Sequence, residues 1–196
     1  GALWGDSEDR GIYKSNDGGE TWENILYTDK STGAAELIID PVNPNILYAS
    51  MWKFRRTPWG FESGGDTSAI YKSTDSGKSW SKIHNGFPNG KLGRIALAIA
   101  PSKPEILYAA VETESAKTNG LYKSEDSGSS WTQLNNDFGL TVRPFYFARL
   151  VVDPKNPDIL VKGGLYGSIS RDGGKTFQDL GAQHSDIHDV VFDLED

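Results

Sequence analysis

One short motif returns four times along this chain and limits what the chain can become. Ser15, Asp17, Gly19 and Trp22 form the first copy, and Ser73, Asp75, Gly77 and Trp80 the second. Ser124, Asp126, Gly128 and Trp131 form the third, and Ser170, Asp172, Gly174 and Phe177 the fourth. Each copy reads Ser-x-Asp-x-Gly-x-x-aromatic. Before the copies stand Gly11-Ile12-Tyr13-Lys14, Ala69-Ile70-Tyr71-Lys72, Gly120-Leu121-Tyr122-Lys123 and Gly167-Ser168-Ile169, and runs such as Trp80-Ser81-Lys82-Ile83 follow them. Both flanks carry the alternating β-branched and aromatic residues of strands, so the box between them reads as a hairpin turn. Its Asp accepts hydrogen bonds from turn amides, and its Gly takes a positive φ without Cβ strain. Its aromatic lies across the turn into the adjoining core, where a well-buried Trp is worth roughly 3–5 kcal/mol. A carboxylate held by turn amides is badly placed for acid/base chemistry, so all sixteen box residues read as scaffold.

A second repeat interleaves with the first. Leu37-Ile38-Ile39-Asp40-Pro41 leads through a Pro-rich turn to Ile46-Leu47-Tyr48-Ala49. Leu97-Ala98-Ile99-Ala100-Pro101 leads likewise to Ile106-Leu107-Tyr108-Ala109, and Leu150-Val151-Val152-Asp153-Pro154 to Ile159-Leu160-Val161. Pro sits outside the strands, where its missing N–H costs nothing. The unit is therefore strand, Pro turn, strand, strand, box turn, strand. Four strands repeated at steps of 58, 51 and 46 residues, from Ser15 to Ser73, Ser124 and Ser170, describe the blades of a β-propeller. The fold class is all-β, a propeller of four-stranded antiparallel blades with Asp-box turns. The expected divisions of residues 1–196 are a partial blade over 1–30, blades at about 36–83, 94–134 and 148–179, and the start of another over 189–196. The opening strand of that last blade would be Val190-Val191-Phe192-Asp193. A propeller ring needs at least about four blades. The chain thus reads as part of a larger propeller, whose other blades lie outside it or come from another copy.

Composition narrows the function classes. With 22 Gly and 9 Pro in 196 residues, the chain suits many short strands joined by turns. A net charge of −7 without a basic cluster speaks against a nucleic-acid partner. No apolar run reaches the roughly 18 residues of a membrane span. There is no cysteine and no visible signal peptide, and the start at Gly1 fits a processed or cut chain. No cofactor is expected.

Function in this topology belongs to the end of the sheets opposite the box turns, where the long, individual loops lie. Trp52 to Gly65 is the longest; others run over Gly86–Arg94, Asp137–Phe147 and Gln183–Asp189. Trp52, Trp59 and Phe61 read as stacking platforms, with Arg55 and Arg56 gripping an anionic or hydroxyl-rich ligand through their donor forks. Equally, the loop can fold back and bury its own Trp rings beneath the Arg stems. Arg94, Arg143, Tyr146, Arg149 and His184 complete the candidate ligand-binding set. Aligned inner strands place Glu36, Arg149 and Asp189 at equivalent positions, where they either bind a ligand near the axis or pair with one another. His184, Asp186 and His188 would face one way on a strand, which makes them a weak metal candidate; no metal is expected. Glu36, Asp186, His188 and Asp189 are the weak catalytic candidates. A glycosidase would need two opposed carboxylates about 5–5.5 Å or about 6.5–9.5 Å apart, depending on mechanism.

The four boxes resemble the Asp-box, or BNR, repeat of sialidases, xyloglucanases and the luminal domain of sortilin-type receptors. The resemblance runs from Ser15 to Asp193. With the Asp40-Pro41 and Asp153-Pro154 turns, it is nearest to large bacterial secreted proteins described as sortilin-like or glycosidase-like repeat proteins. It implies a secreted, periplasmic or cell-surface propeller that binds glycan or a protein ligand through its long-loop face. It implies as an alternative a part of a xyloglucanase-like or sialidase-like glycoside hydrolase. No motif arranges the arginines as a sialidase triad, and the two Asp residues of a xyloglucanase stand in a cleft between two propellers.

Overall fold

The computed structural model describes residues 4–146, 148–181 and 184–193. Phe147 and Gln183, each within a loop singled out above, lie outside the described residues. The chain opens with a two-stranded ribbon, β1 (Ile12–Lys14) and β2 (Glu23–Leu26), joined by the first box. A sheet follows with β3 (Thr32–Ile39), β4 (Leu47–Thr57), β6 (Ala69–Ser73) and β7 (Ser81–Ile83) in that order, and β5 (Gly60–Ser63) pairs with the far end of β4. The next has β8 (Leu92–Ile99), β9 (Leu107–Thr113), β10 (Gly120–Ser124) and β11 (Thr132–Asn135). After a short helix, α1 (Phe138–Thr141), comes the last, with β12 (Arg149–Val152), β13 (Leu160–Gly163), β14 (Ser168–Ser170) and β15 (Gln178–Asp179). All pairings between these strands are antiparallel, and apart from β4 with β6, which skips β5, they join chain neighbours; β3, β8 and β12 lie side by side as the innermost strands. These are the blades of a β-propeller.

The box turns are built as the residue types dictate. Asp17, Asp75, Asp126 and Asp172 each accept a backbone N–H four residues on, at 2.8–2.9 Å, from Thr21, Ser79, Ser130 and Thr176. The hydroxyl of that same residue closes on the second carboxylate oxygen. These bonds to the ionised form hold Asp75, Asp126 and Asp172 down at about 2, and Asp17 lower still. Ser76 N, Ser127 N and Gly173 N donate to Asn45, Glu105 and Asp158 at 2.9 Å, so each of these boxes is tied to the Pro turn of its own blade.

The boxes also join one blade to the next. Trp80 packs in a cluster that joins Ile12, Leu26 and Ile25 of the preceding ribbon to Ala49 and Met51 of its own blade, Trp131 in one that includes Tyr48 and Ile70 of the blade before it, and Phe177 against one that spans its own blade and the preceding one. Lys14 Nζ and Lys72 Nζ reach forward to the carbonyls of Ser76 and Ser127 at 3.1 and 2.7 Å. A box aromatic therefore needs a blade in front of it. Trp22 has none among the described residues and stays 62% exposed, unlike the buried ring expected of every box. Residues 190–193, expected to open a further blade, form no strand among the described residues. A strand is held by a ladder of hydrogen bonds to a neighbouring strand.

Candidate functional site

At the end opposite the boxes, β4 overruns its sheet and turns back as β5. The register pairs Phe54 with Ser63, Arg55 with Glu62 and Arg56 with Phe61. Strand alternation then sorts the hairpin into two faces. Trp52, Phe54, Arg56, Phe61 and Ser63 share one; Lys53, Arg55 and Glu62 share the other. On the first face the rings form a continuous floor: Trp52–Phe54 at 4.5 Å, Phe54–Phe61 at 5.0 Å, Phe61–Phe145 at 4.5 Å and Phe145–Tyr146 at 4.6 Å. The second face meets the chain start, where Arg55 bonds to the Asp6 carboxylate and the Trp4 carbonyl and a cleft of 260 Å³ opens beside Ser31 and Glu62.

Three guanidinium groups stand on the aromatic floor. Arg94 lies 5.2 Å from the Trp52 ring centre and donates to the Pro144 carbonyl at 3.2 Å. Arg56 donates to the Tyr146 hydroxyl at 3.3 Å and sits 5.9 Å from the Trp4 ring. Arg143, in the left-handed region at φ 49, lies 5.0 Å from the Tyr146 ring. The hydrogen bond and charge of Arg56, with help from Arg143, push the Tyr146 phenol below its usual range. Beneath them Trp52 Nε1 donates to Ser63 Oγ at 2.9 Å, and Ser63 donates to Glu112 Oε2 at 2.6 Å. The Arg94 backbone N–H meets the same oxygen at 2.8 Å. Trp52 is half-buried in this network, while Trp59 at the hairpin tip is 87% exposed.

Nearer the axis, Arg149 holds two carboxylates. Its Nη1 lies 2.6 Å from Glu36 and its Nε 2.7 Å from Asp189, the latter as an ion pair rather than an aligned hydrogen bond. A register irregularity at Ala34/Glu36 turns the Glu36 side chain toward β8, where the Leu97 N–H donates to it at 2.8 Å. Burial outweighs these donors and pushes the Glu36 carboxyl above its ordinary range.

Residues 184–188 do not form the one-sided strand that would align His184, Asp186 and His188. Asp186 takes a left-handed φ of 68, and His184 Nδ1 lies 2.6 Å from the Ser185 carbonyl. No group of three metal-ligating side chains forms among the described residues. The structure thus brings Trp52, Arg56, Arg94, Arg143 and Tyr146 together, leaves Trp59 at the hairpin tip, and sets Glu36, Arg149 and Asp189 in a separate cluster. Arg55 belongs to the opposite hairpin face. Sequence reasoning passed over Trp4, Ser63 and Glu112. Glu112 holds the position in β9 that Trp52 holds in β4, counted from Leu107 and Leu47, so the alignment of repeats is the signal that marks it.

A family model described as Sortilin, neurotensin receptor 3 (Sortilin-Vps10) matches residues 10–164. A probable oligoxyloglucan-reducing end-specific xyloglucanase of Neosartorya fischeri is 27% identical over 171 residues, 82% of this chain and 18% of the relative. Xyloglucanase Xgh74A of Acetivibrio thermocellus is 30% identical over 139 residues, 64% of this chain and 15% of the relative. The chain therefore spans less than a fifth of the length of either. The solved structure of a GH74 xyloglucanase from Xanthomonas campestris shares the fold, with a TM-score of 0.64 at 21% identity over 87% of this chain and 25% of that one. No helix among the described residues is long and apolar enough to cross a membrane.

Proposed function

We propose that this chain, which belongs to the Sortilin-Vps10 family, holds a xyloglucan-type glycan on its long-loop face, as one wall of a glycosidase-like propeller. The observation that carries the reading is the continuous ring floor from Trp52 to Tyr146 with three guanidinium groups upon it. A sugar ring offers apolar C–H faces to aromatic planes and hydroxyls to fixed donors and acceptors, and this surface supplies both. Trp4, Trp59 and Tyr146 are exposed rings, and Arg56 is the donor between Trp4 and Tyr146. The relatives named xyloglucanases support the substrate class. A polymer of that kind lies outside cells, so the reading carries an extracytoplasmic location with it. It also assigns the exposed Trp22, Leu37 and Ile39 to contact with a further blade.

Calorimetric titration with xyloglucan oligosaccharides tests the reading. Binding should weaken about three- to tenfold in Trp59→Ala or Arg56→Ala. Absence of binding, or binding indifferent to both substitutions, overturns it.

A hydrolytic role is the second reading, favoured by the names of the relatives. Its acid would be Glu36, whose burial favours the protonated form, and its base Asp189. New reducing ends on xyloglucan that vanish in Glu36→Gln and Asp189→Asn would support it. Release unaffected by either substitution removes these two carboxylates from the chemistry.

A further inference from the structure

Asparagine precedes glycine three times in this chain, at Asn85-Gly86, Asn89-Gly90 and Asn119-Gly120. Such a pair can cyclise, because glycine carries no side chain to keep its backbone nitrogen from the asparagine Cγ. The reaction needs an amide side chain that is free to turn and a following peptide that is free to move. Sequence gives the three pairs an equal claim, and the fold separates them. Asn85 Nδ2 donates to the Ser129 carbonyl at 3.2 Å, and the Asn85 carbonyl accepts the Trp131 N–H at 3.0 Å. Gly86 lies against the Trp131 backbone, whose carbonyl oxygen fills the place a Cβ would take. Asn119 Oδ1 accepts from the backbone N–H and the hydroxyl of Thr113 at 2.5 and 3.2 Å. Gly120 opens β10 with the Asn135 carbonyl where its own Cβ would be.

Asn89 and Gly90 are both exposed, and neither the Asn89 side chain nor the Gly90 N–H makes a hydrogen bond among the described residues. A Cβ at Gly90 would meet only the Glu114 carboxylate, the far end of an exposed side chain, at 2.8 Å. The loop is tied on either side of the pair instead. Phe87 stacks on Trp131 at 5.2 Å, and the Leu92 carbonyl accepts the Gly65 N–H at 3.1 Å. Residues 88–91 can therefore rearrange between two fixed points. We infer that Asn89 is a deamidation site. The Gly90 nitrogen bonds to Asn89 Cγ and the Cγ–Nδ2 bond breaks, the Gly90 proton leaving with the amide as ammonia. Solvent water then adds to either carbonyl of the succinimide and opens it, which leaves aspartate or isoaspartate at position 89. The product carries a new negative charge next to Glu114, in the loop that leads into Arg94.

Incubating the folded protein in mildly alkaline heavy-oxygen water tests this, with peptide mass mapping and fragmentation to separate Asn85 from Asn89. Position 89 should take up the heavy oxygen about three- to tenfold faster than position 85 or 119, the difference between a free amide and one held by hydrogen bonds. In urea the three positions should convert at similar rates, because the protection of Asn85 and Asn119 belongs to the fold. The inference is overturned if Asn85 or Asn119 keeps pace with Asn89 in the folded protein. It fails as well if Asn89 stays intact there while the unfolded chain converts, or if the same ordering persists in urea, where only neighbouring residues could cause it.

Discussion

Replacing Lys162 with methionine should stabilise this protein at neutral pH. Lys162 lies on β13 with 1% of its surface exposed, and its Nζ donates to the adjacent Gly163 carbonyl at 2.7 Å. Burial, reinforced by the positive charge of Arg94, lowers the amine from 10.5 to about 8. That displacement sets about 3 kcal/mol against the ammonium form in the folded state. Methionine keeps the unbranched shape and removes the charge, but forfeits a charged hydrogen bond worth about 1.5–3 kcal/mol. The difference is a net gain on the order of 1 kcal/mol at neutral pH. The folded amine binds its proton more weakly than the unfolded one, so the penalty is full below about 8 and fades as pH rises toward 10.5. The advantage of the variant should fade with it. Urea unfolding at about pH 7 and about pH 10 measures both, and the gain should raise the midpoint by about 0.5 M at neutral pH. A midpoint lowered at neutral pH, or a difference that does not change with pH, would refute the argument, because the ammonium would then be favourably solvated where it lies.

Arg149→Met should cost about 2 kcal/mol, since Glu36 keeps a side chain only 10% exposed and loses its counter-charge while Arg149 itself is 38% exposed. Adding Glu36→Gln should recover most of that loss in the same urea assay. Gly128→Ala should destabilise more than Gly18→Ala in thermal unfolding, by about 1 kcal/mol. Both have positive φ, but a Cβ at Gly128 meets Ile83 at 3.1 Å and Tyr48 at 3.4 Å, whereas Gly18 faces open space. Three box carboxylates are lowered from 3.8 to about 2, so their contribution is present above that usual value and is lost as pH falls through about 2. Acid unfolding followed by Trp fluorescence should show this limb, and Asp75→Asn should flatten it.

Much of the scaffold is legible in the sequence because its causes are local. Ser73, Asp75 and Gly77 make their bonds within a few residues, and so do Asp40 and Asp153 in the Pro turns, each accepting two following backbone amides. The hydroxyl that completes each box, at Thr21, Ser79, Ser130 and Thr176, is equally visible in the sequence. The site was legible only as a roll of residue types. Trp52 and Arg56 share one loop and Tyr146 stands in another, and nothing local says that the Tyr146 hydroxyl meets Arg56.

Sequence alone determines that the chain makes repeated four-stranded sheets with their box turns at one end, because period-two alternation and turn chemistry act over a few bonds. Tertiary structure decides which box aromatic is buried, since Trp22 and Trp131 share a motif and differ in whether a preceding blade covers them. It decides as well that Glu36 meets Arg149 across 113 residues of chain and that Ser63 reaches Glu112 across 49. Those meetings depend on how successive blades are angled about a common axis, and that is set by packing between sheets rather than by any preference of the residues themselves.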